Sequence, residues 1–136
     1  GLLNGTFIPD SEEFKIELLN RSFGQSHLNG QDFYSIGFSW QAAAGRANDV
    51  TVFVHAVNAA GELVSQSDGD PLVGLAPLSV LNTDEALHDI RTIPADPAIV
   101  AFRVGLYNRV TGERIPFYGA DGQRTADDMY IFEVEP

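Results

Sequence analysis

His55, Gln66, Asp68 and Asp89 are the residues whose types and spacing could do chemistry. An imidazole, a carboxamide and a carboxylate on one surface can orient a polar ligand, and an imidazole with carboxylates can hold a metal ion. The register of one hairpin decides whether the first three meet. Residues 50–58 place Val52, Val54 and Ala56 on one face and Phe53, His55 and Val57 on the other, which reads as a central strand apolar on both sides. Asn58-Ala59-Ala60-Gly61 reads as a hairpin loop with Gly61 in the left-handed region, and residues 62–67 return. A four-residue loop sets Val57 opposite Glu62, His55 opposite Val64 and Phe53 opposite Gln66. Alternate residues of a strand share a face, so Phe53, His55, Gln66 and Asp68 gather on one face unless a bulge breaks the register. Arg103 and Tyr107 join them if residues 99–108 lie in the same sheet, because their parity is opposite to an inward set of Val100, Phe102, Val104 and Leu106. Aromatic, amide, carboxylate and guanidinium groups on a sheet face suit sugar hydroxyls. The competing reading is structural: a half-buried histidine satisfied by Asp or Gln, Tyr107 packed on its own hairpin, and Arg103 in a surface ion pair.

Closely spaced aspartates offer the oxygens that calcium prefers. Asp68, Asp70, Asp89 and Asp121 are the metal-ligating candidates, with Asp127 and Asp128 near the last of them. Neither run has the order of an EF-hand loop, and Asp-Gly is also a good turn, so the expectation is no cofactor, with calcium as the one candidate ion. Nucleophilic catalysis has no footing: there is no Gly-x-Ser-x-Gly, and His88 and Asp89 would point to opposite faces of a strand. The chain reads as non-catalytic. A glycoside-active hydrolase remains an alternative, because 19 acidic residues leave a catalytic carboxylate pair undefined by sequence.

The elements that carry these residues are strands. Turn signals recur every 8 to 15 residues. Residues 32–41 set Tyr34, Ile36, Phe38 and Trp40 on one strongly apolar face. Further strands are expected over 10–20 and 86–93, where a short helix competes in each case. Residues 113–118 should return after a connection at 108–112, and 129–135 should close the chain, with polar loops at 68–79 and 119–128. About seven to nine strands without a confident helix predict an all-β fold, a two-sheet antiparallel sandwich of immunoglobulin-like or jelly-roll-like type, over residues 1–136 as one domain.

Net charge is −11 from 8 basic and 19 acidic residues. Such a chain repels a phosphate backbone and an anionic membrane surface, so no nucleic-acid partner and no direct membrane insertion are expected. No apolar run approaches the roughly 18 residues of a spanning helix. The absence of cysteine removes disulfides and thiolate chemistry. The sequons at Asn4 and Asn20 matter only in a glycosylating host. The abrupt start at Gly1 reads as an excised or processed segment of a longer protein.

Several segments together carry a family likeness. They are Phe53-Val54-His55, Gly61-Glu62-Leu63-Val64-Ser65-Gln66 and Asp68-Gly69-Asp70-Pro71, then Val104-Gly105-Leu106-Tyr107-Asn108 and Thr111-Gly112-Glu113-Arg114-Ile115-Pro116, with Trp40-Gln41-Ala42 upstream. Over about residues 30 to 118 the chain resembles β-sandwich domains of bacterial extracytoplasmic proteins. Some of those domains follow the membrane-embedded part of dolichyl-phosphate-mannose-type glycosyltransferases. Asp89 matches an acidic position of that family, whereas Leu81-Asn82-Thr83-Asp84-Glu85 replaces its usual Trp-x-x-Gly-Glu. The resemblance implies a secreted or envelope-associated accessory domain, partnered by a glycan, by envelope components or by a neighbouring domain of a larger protein. A purely structural protein–protein interaction or spacer domain is the alternative.

Overall fold

The computed structural model describes residues 2–72 and 74–134. Gly1, Val73, Glu135 and Pro136 lie outside them, and with them the expected start, part of the 68–79 loop and the expected end of the last strand. Among the described residues nine strands run in chain order: β1 (Leu3–Phe7), β2 (Phe14–Leu28), β3 (Gln31–Gly45), β4 (Val50–Val57), β5 (Leu63–Gln66), β6 (Ala86–Pro94), β7 (Ala101–Asn108), β8 (Phe117–Gly119) and β9 (Tyr130–Glu133). They form a two-sheet sandwich. One sheet has the order β6-β3-β2-β1-β8 and the other β5-β4-β7-β9. Every pairing is antiparallel.

The core follows from strand parity. Tyr34, Ile36, Phe38 and Trp40 of β3 are buried, facing Val50, Val52, Val54 and Ala56 of β4 and Phe102, Val104 and Leu106 of β7 across the sandwich. Burial of each large apolar side chain stabilises the fold by about 1.5–3 kcal/mol. β4 is central, as its two apolar faces predict, and β6 is a strand rather than a helix. Leu87, Asp89, Arg91 and Ile93 turn inward while His88, Ile90 and Thr92 turn out. Asp84, at φ 71°, adopts the left-handed region just before β6, which is incompatible with a continuous helix there.

Several expectations are corrected. The strand expected over 10–20 begins at Phe14 and continues to Leu28, because Asn20 takes a left-handed conformation (φ 55°) and absorbs a one-residue bulge instead of ending the strand. The bulge shifts inward parity from Ile16 and Leu18 to Phe23, which pairs with Ile36. β1 had no clear sequence signal. Val100, expected inside, is 42% exposed, and β7 starts at Ala101, two residues later than expected. The return expected over 113–118 divides between the sheets: Arg114 bridges Tyr107 in the four-stranded sheet, and β8 pairs with β1 in the five-stranded one. In the β4–β5 hairpin, Val64 is an extra residue between the pairs Val57–Leu63 and Ala56–Ser65, so His55 opposes Gln66 rather than Val64.

Candidate functional site

Leu63 rather than Glu62 opposes Val57 and the bulge adds a second residue, so the register at His55 lies two residues from expectation and Gln66 keeps its expected face. Across the outer face of the four-stranded sheet one row runs Gln66, His55, Arg103, Ile131. The next row along β4 and β7 pairs Phe53 with Gly105, and the row beyond pairs Thr51 with Tyr107. Phe53, His55, Gln66, Arg103 and Tyr107 thus occupy one face, and Asp68 joins them through its contact with His55.

They are not equally available. Phe53 is 3% exposed. Its ring lies over Gly105, where a β-carbon would come within 2.3 Å of it, and the Arg114 guanidinium stands 5.1 Å above the ring centroid. An aromatic roofed in this way offers no stacking surface, which corrects its expected role as a ligand platform. Tyr107, half-buried, sits on the far side of Phe53 with ring centroids 6.4 Å apart. The accessible polar part of the face contracts to His55, Gln66, Arg103 and the edge of Asp68.

Asp68 holds this row in place. Its Oδ2 lies 3.5 Å from His55 Nε2, and its Oδ1 accepts the Val54 N–H at 3.1 Å. The N–H groups of Ser67 and Gly69 donate to the carbonyls of Val54 and Val52, so the chain continues along β4 past the end of β5. The Phe53 ring flanks the imidazole at 4.9 Å, leaving the His55 side chain 26% exposed. Gln66 is exposed opposite it. Arg103 extends toward the hairpin loop, with Nη2 3.2 Å from where a β-carbon on Gly61 would sit. Gly61, at φ 79°, keeps that approach open.

The four aspartates considered for metal do not converge. Asp70 accepts two hydrogen bonds from Arg109 at 3.0 and 3.1 Å. Asp121 caps its own turn through the Gln123 N–H at 2.9 Å. Asp89 is fully buried and accepts from Trp40 Nε1 at 2.9 Å and from Arg91. Among the described residues no three His, Cys, Asp or Glu side chains gather as a metal site would require. Near the C-terminus, the hydrogen bond from Arg124 to Asp128, reinforced by that carboxylate's charge, raises the guanidinium above its ordinary range.

Sequence reasoning missed the Trp40–Asp89–Arg91 cluster. Arg91 donates to Ser67 O at 2.9 Å and Gly69 O at 2.8 Å, tying the edge of one sheet to the edge of the other behind Asp68. The signal was present: Asp89 and Arg91 share parity with Leu87 and Ile93, so two charges alternate with apolar residues on an inward face. A cleft of about 390 Å³ opens elsewhere, at the seam beside β9, lined by Asn4, Phe117, Thr125, Met129, Tyr130 and Ile131 among others. No protein-family model, curated protein or solved structure matches this chain.

Proposed function

We propose that the chain is a non-catalytic extracytoplasmic accessory module that binds glycan on the outer face of its four-stranded sheet. The observation that carries this reading is the solvent-facing row of Gln66, His55 and Arg103 on three adjacent strands. Carboxamide, imidazole and guanidinium supply donors and acceptors matched to saccharide hydroxyls. Strands fix these groups more tightly than loops would, which lowers the ordering cost of binding. Asp68 beside the row and Asp70 further along the sheet are tied to backbone or cationic partners, and this favours binding over hydrolysis. Extracytoplasmic placement draws on the resemblance of residues 30–118 to envelope-associated sandwich domains.

A thermal-melt screen against mono- and oligosaccharides, each with calcium and with chelator, tests the reading. A ligand at about 100 times its dissociation constant stabilises the fold by roughly 2.7 kcal/mol. That raises the melting temperature by several degrees. The expected outcome is a saccharide-dependent shift, indifferent to chelator, that disappears in His55→Ala. A shift with calcium alone, or none with any saccharide, contradicts it.

A further inference from the structure

We propose that the ligand of the His55–Arg103 row is an anionic saccharide, a sugar carrying a carboxylate or a phosphate, and that Arg103 receives its charge. The proposal rests on the glycan-binding reading and narrows it to a chemical class. In a chain with 19 acidic and 8 basic residues, a guanidinium without an acceptor is out of keeping with its surroundings. Arg91 is bound to Asp89, Arg109 to Asp70 and Arg124 to Asp128. Arg46 donates to Ser79 O and Asn82, Arg114 donates to Asp127 O and covers Phe53, and Arg21 lies over Phe132. Arg103 donates to no acceptor among the described residues, and its Nε is buried without one.

Nη1 and Nη2 of Arg103 are not enclosed as Nε is, and an external oxyanion would give these outer donors the acceptor they lack. The planar guanidinium matches a carboxylate or phosphate through two parallel N–H···O bonds. The surroundings agree with that use. His55 stands directly opposite Arg103, with β-carbons about 5 Å apart, and offers a second polar group to the same anion. Asp68 approaches His55 from the β5 side, away from Arg103, so the anion docks on the β7 side, where no carboxylate among the described residues is paired with Arg103. Gln66, next in the row, is positioned for neighbouring hydroxyls. Gly61 stands beside Nη2, where a β-carbon would come within 3.2 Å of it.

Calorimetric titration of trigalacturonate, phosphorylated mannose and neutral maltotriose into the whole chain tests the assignment. Wild type should bind at least one acidic sugar about tenfold or more tighter than maltotriose. The acidic sugar preferred identifies carboxylate or phosphate as the source of charge. Arg103→Gln should erase the preference, Arg103→Lys should keep part of it, and the melting temperature of Arg103→Gln should stay close to that of wild type, because no hydrogen bond or ion pair among the described residues is lost. Equal affinity for neutral and acidic sugars would overturn this proposal and leave the glycan reading standing. Binding of none of the three overturns both. A preference that survives Arg103→Gln, or a melting temperature several degrees lower in that variant, removes Arg103 from the role.

Discussion

Arg91 and Arg103 share a side chain and differ in everything around it. Arg91 is enclosed with Asp89 and Trp40 and grips the carbonyls of Ser67 and Gly69, whereas Arg103 reaches across an open face with no acceptor. The first arrangement is structural; Arg103, half-buried on the outer face, has no acceptor among the described residues. Removing one partner of a buried pair strands the other charge, at a cost of about 3–5 kcal/mol. Asp89→Asn should lower stability by that amount in urea titration. The double replacement Asp89→Leu with Arg91→Met should recover much of the loss, because no charge is then left buried. If the double variant is no more stable than the single one, the carbonyl bonds of Arg91, and not its charge balance, hold the edge together. At this scale the sequence exposed the parity of His55, Gln66, Arg103 and Tyr107 but not the enclosure of Phe53. That enclosure depends on Gly105 beneath the ring and on Arg114 arriving from a later segment, and neither is encoded in the alternation of β4.

Strand parity was legible where a strand is regular and lost where one residue is inserted. Residues 32–41 announce their inward face by alternation alone, and Tyr34, Ile36, Phe38 and Trp40 occupy it. The bulges at Val64 and near Asn20 leave no comparable mark, since an extra residue changes pairing without changing composition. The β5 bulge and a hairpin loop one residue longer together move the partner of His55 by two positions from expectation, and an even shift preserves the face. The same sheet supplies a test of how Phe53 is accommodated. Gly105→Ala would drive a methyl group into the Phe53 ring, and overpacking of this kind costs about 1–3 kcal/mol. Chemical denaturation should show that loss in the Gly105→Ala variant and little of it in Gly105→Ala combined with Phe53→Leu, where the ring is gone. Equal losses in both would place the strain in the β7 backbone instead.

For the molecule as a whole, two packed sheets followed from turn spacing and apolar alternation, but their strand order did not. β3 pairs with β6 and β1 with β8 across long stretches of chain, and no local signal chooses among such partners. The net charge of −11 acts at the same scale. Self-repulsion of a like-charged surface opposes compactness, and salt at about 0.15 M screens it beyond roughly 8 Å. The melting temperature should therefore rise between low salt and about 0.15 M salt, by about 4 °C for each kcal/mol regained. A fall on adding salt would mean that attractive pairs such as Arg109–Asp70 and Arg124–Asp128 outweigh the repulsion.

The central claim is that ligand binds the outer face of the four-stranded sheet at His55, Gln66 and Arg103. Amide proton–nitrogen correlation spectra recorded during titration with trigalacturonate, and again with maltotriose, test it residue by residue. Shifts should be confined to β4, β5 and β7 around those three residues and the loop at Gly61, larger with the acidic sugar and absent from the outer face of the five-stranded sheet. Shifts centred on the seam cleft at Thr125 and Tyr130, or spectra unchanged by either sugar, would contradict it.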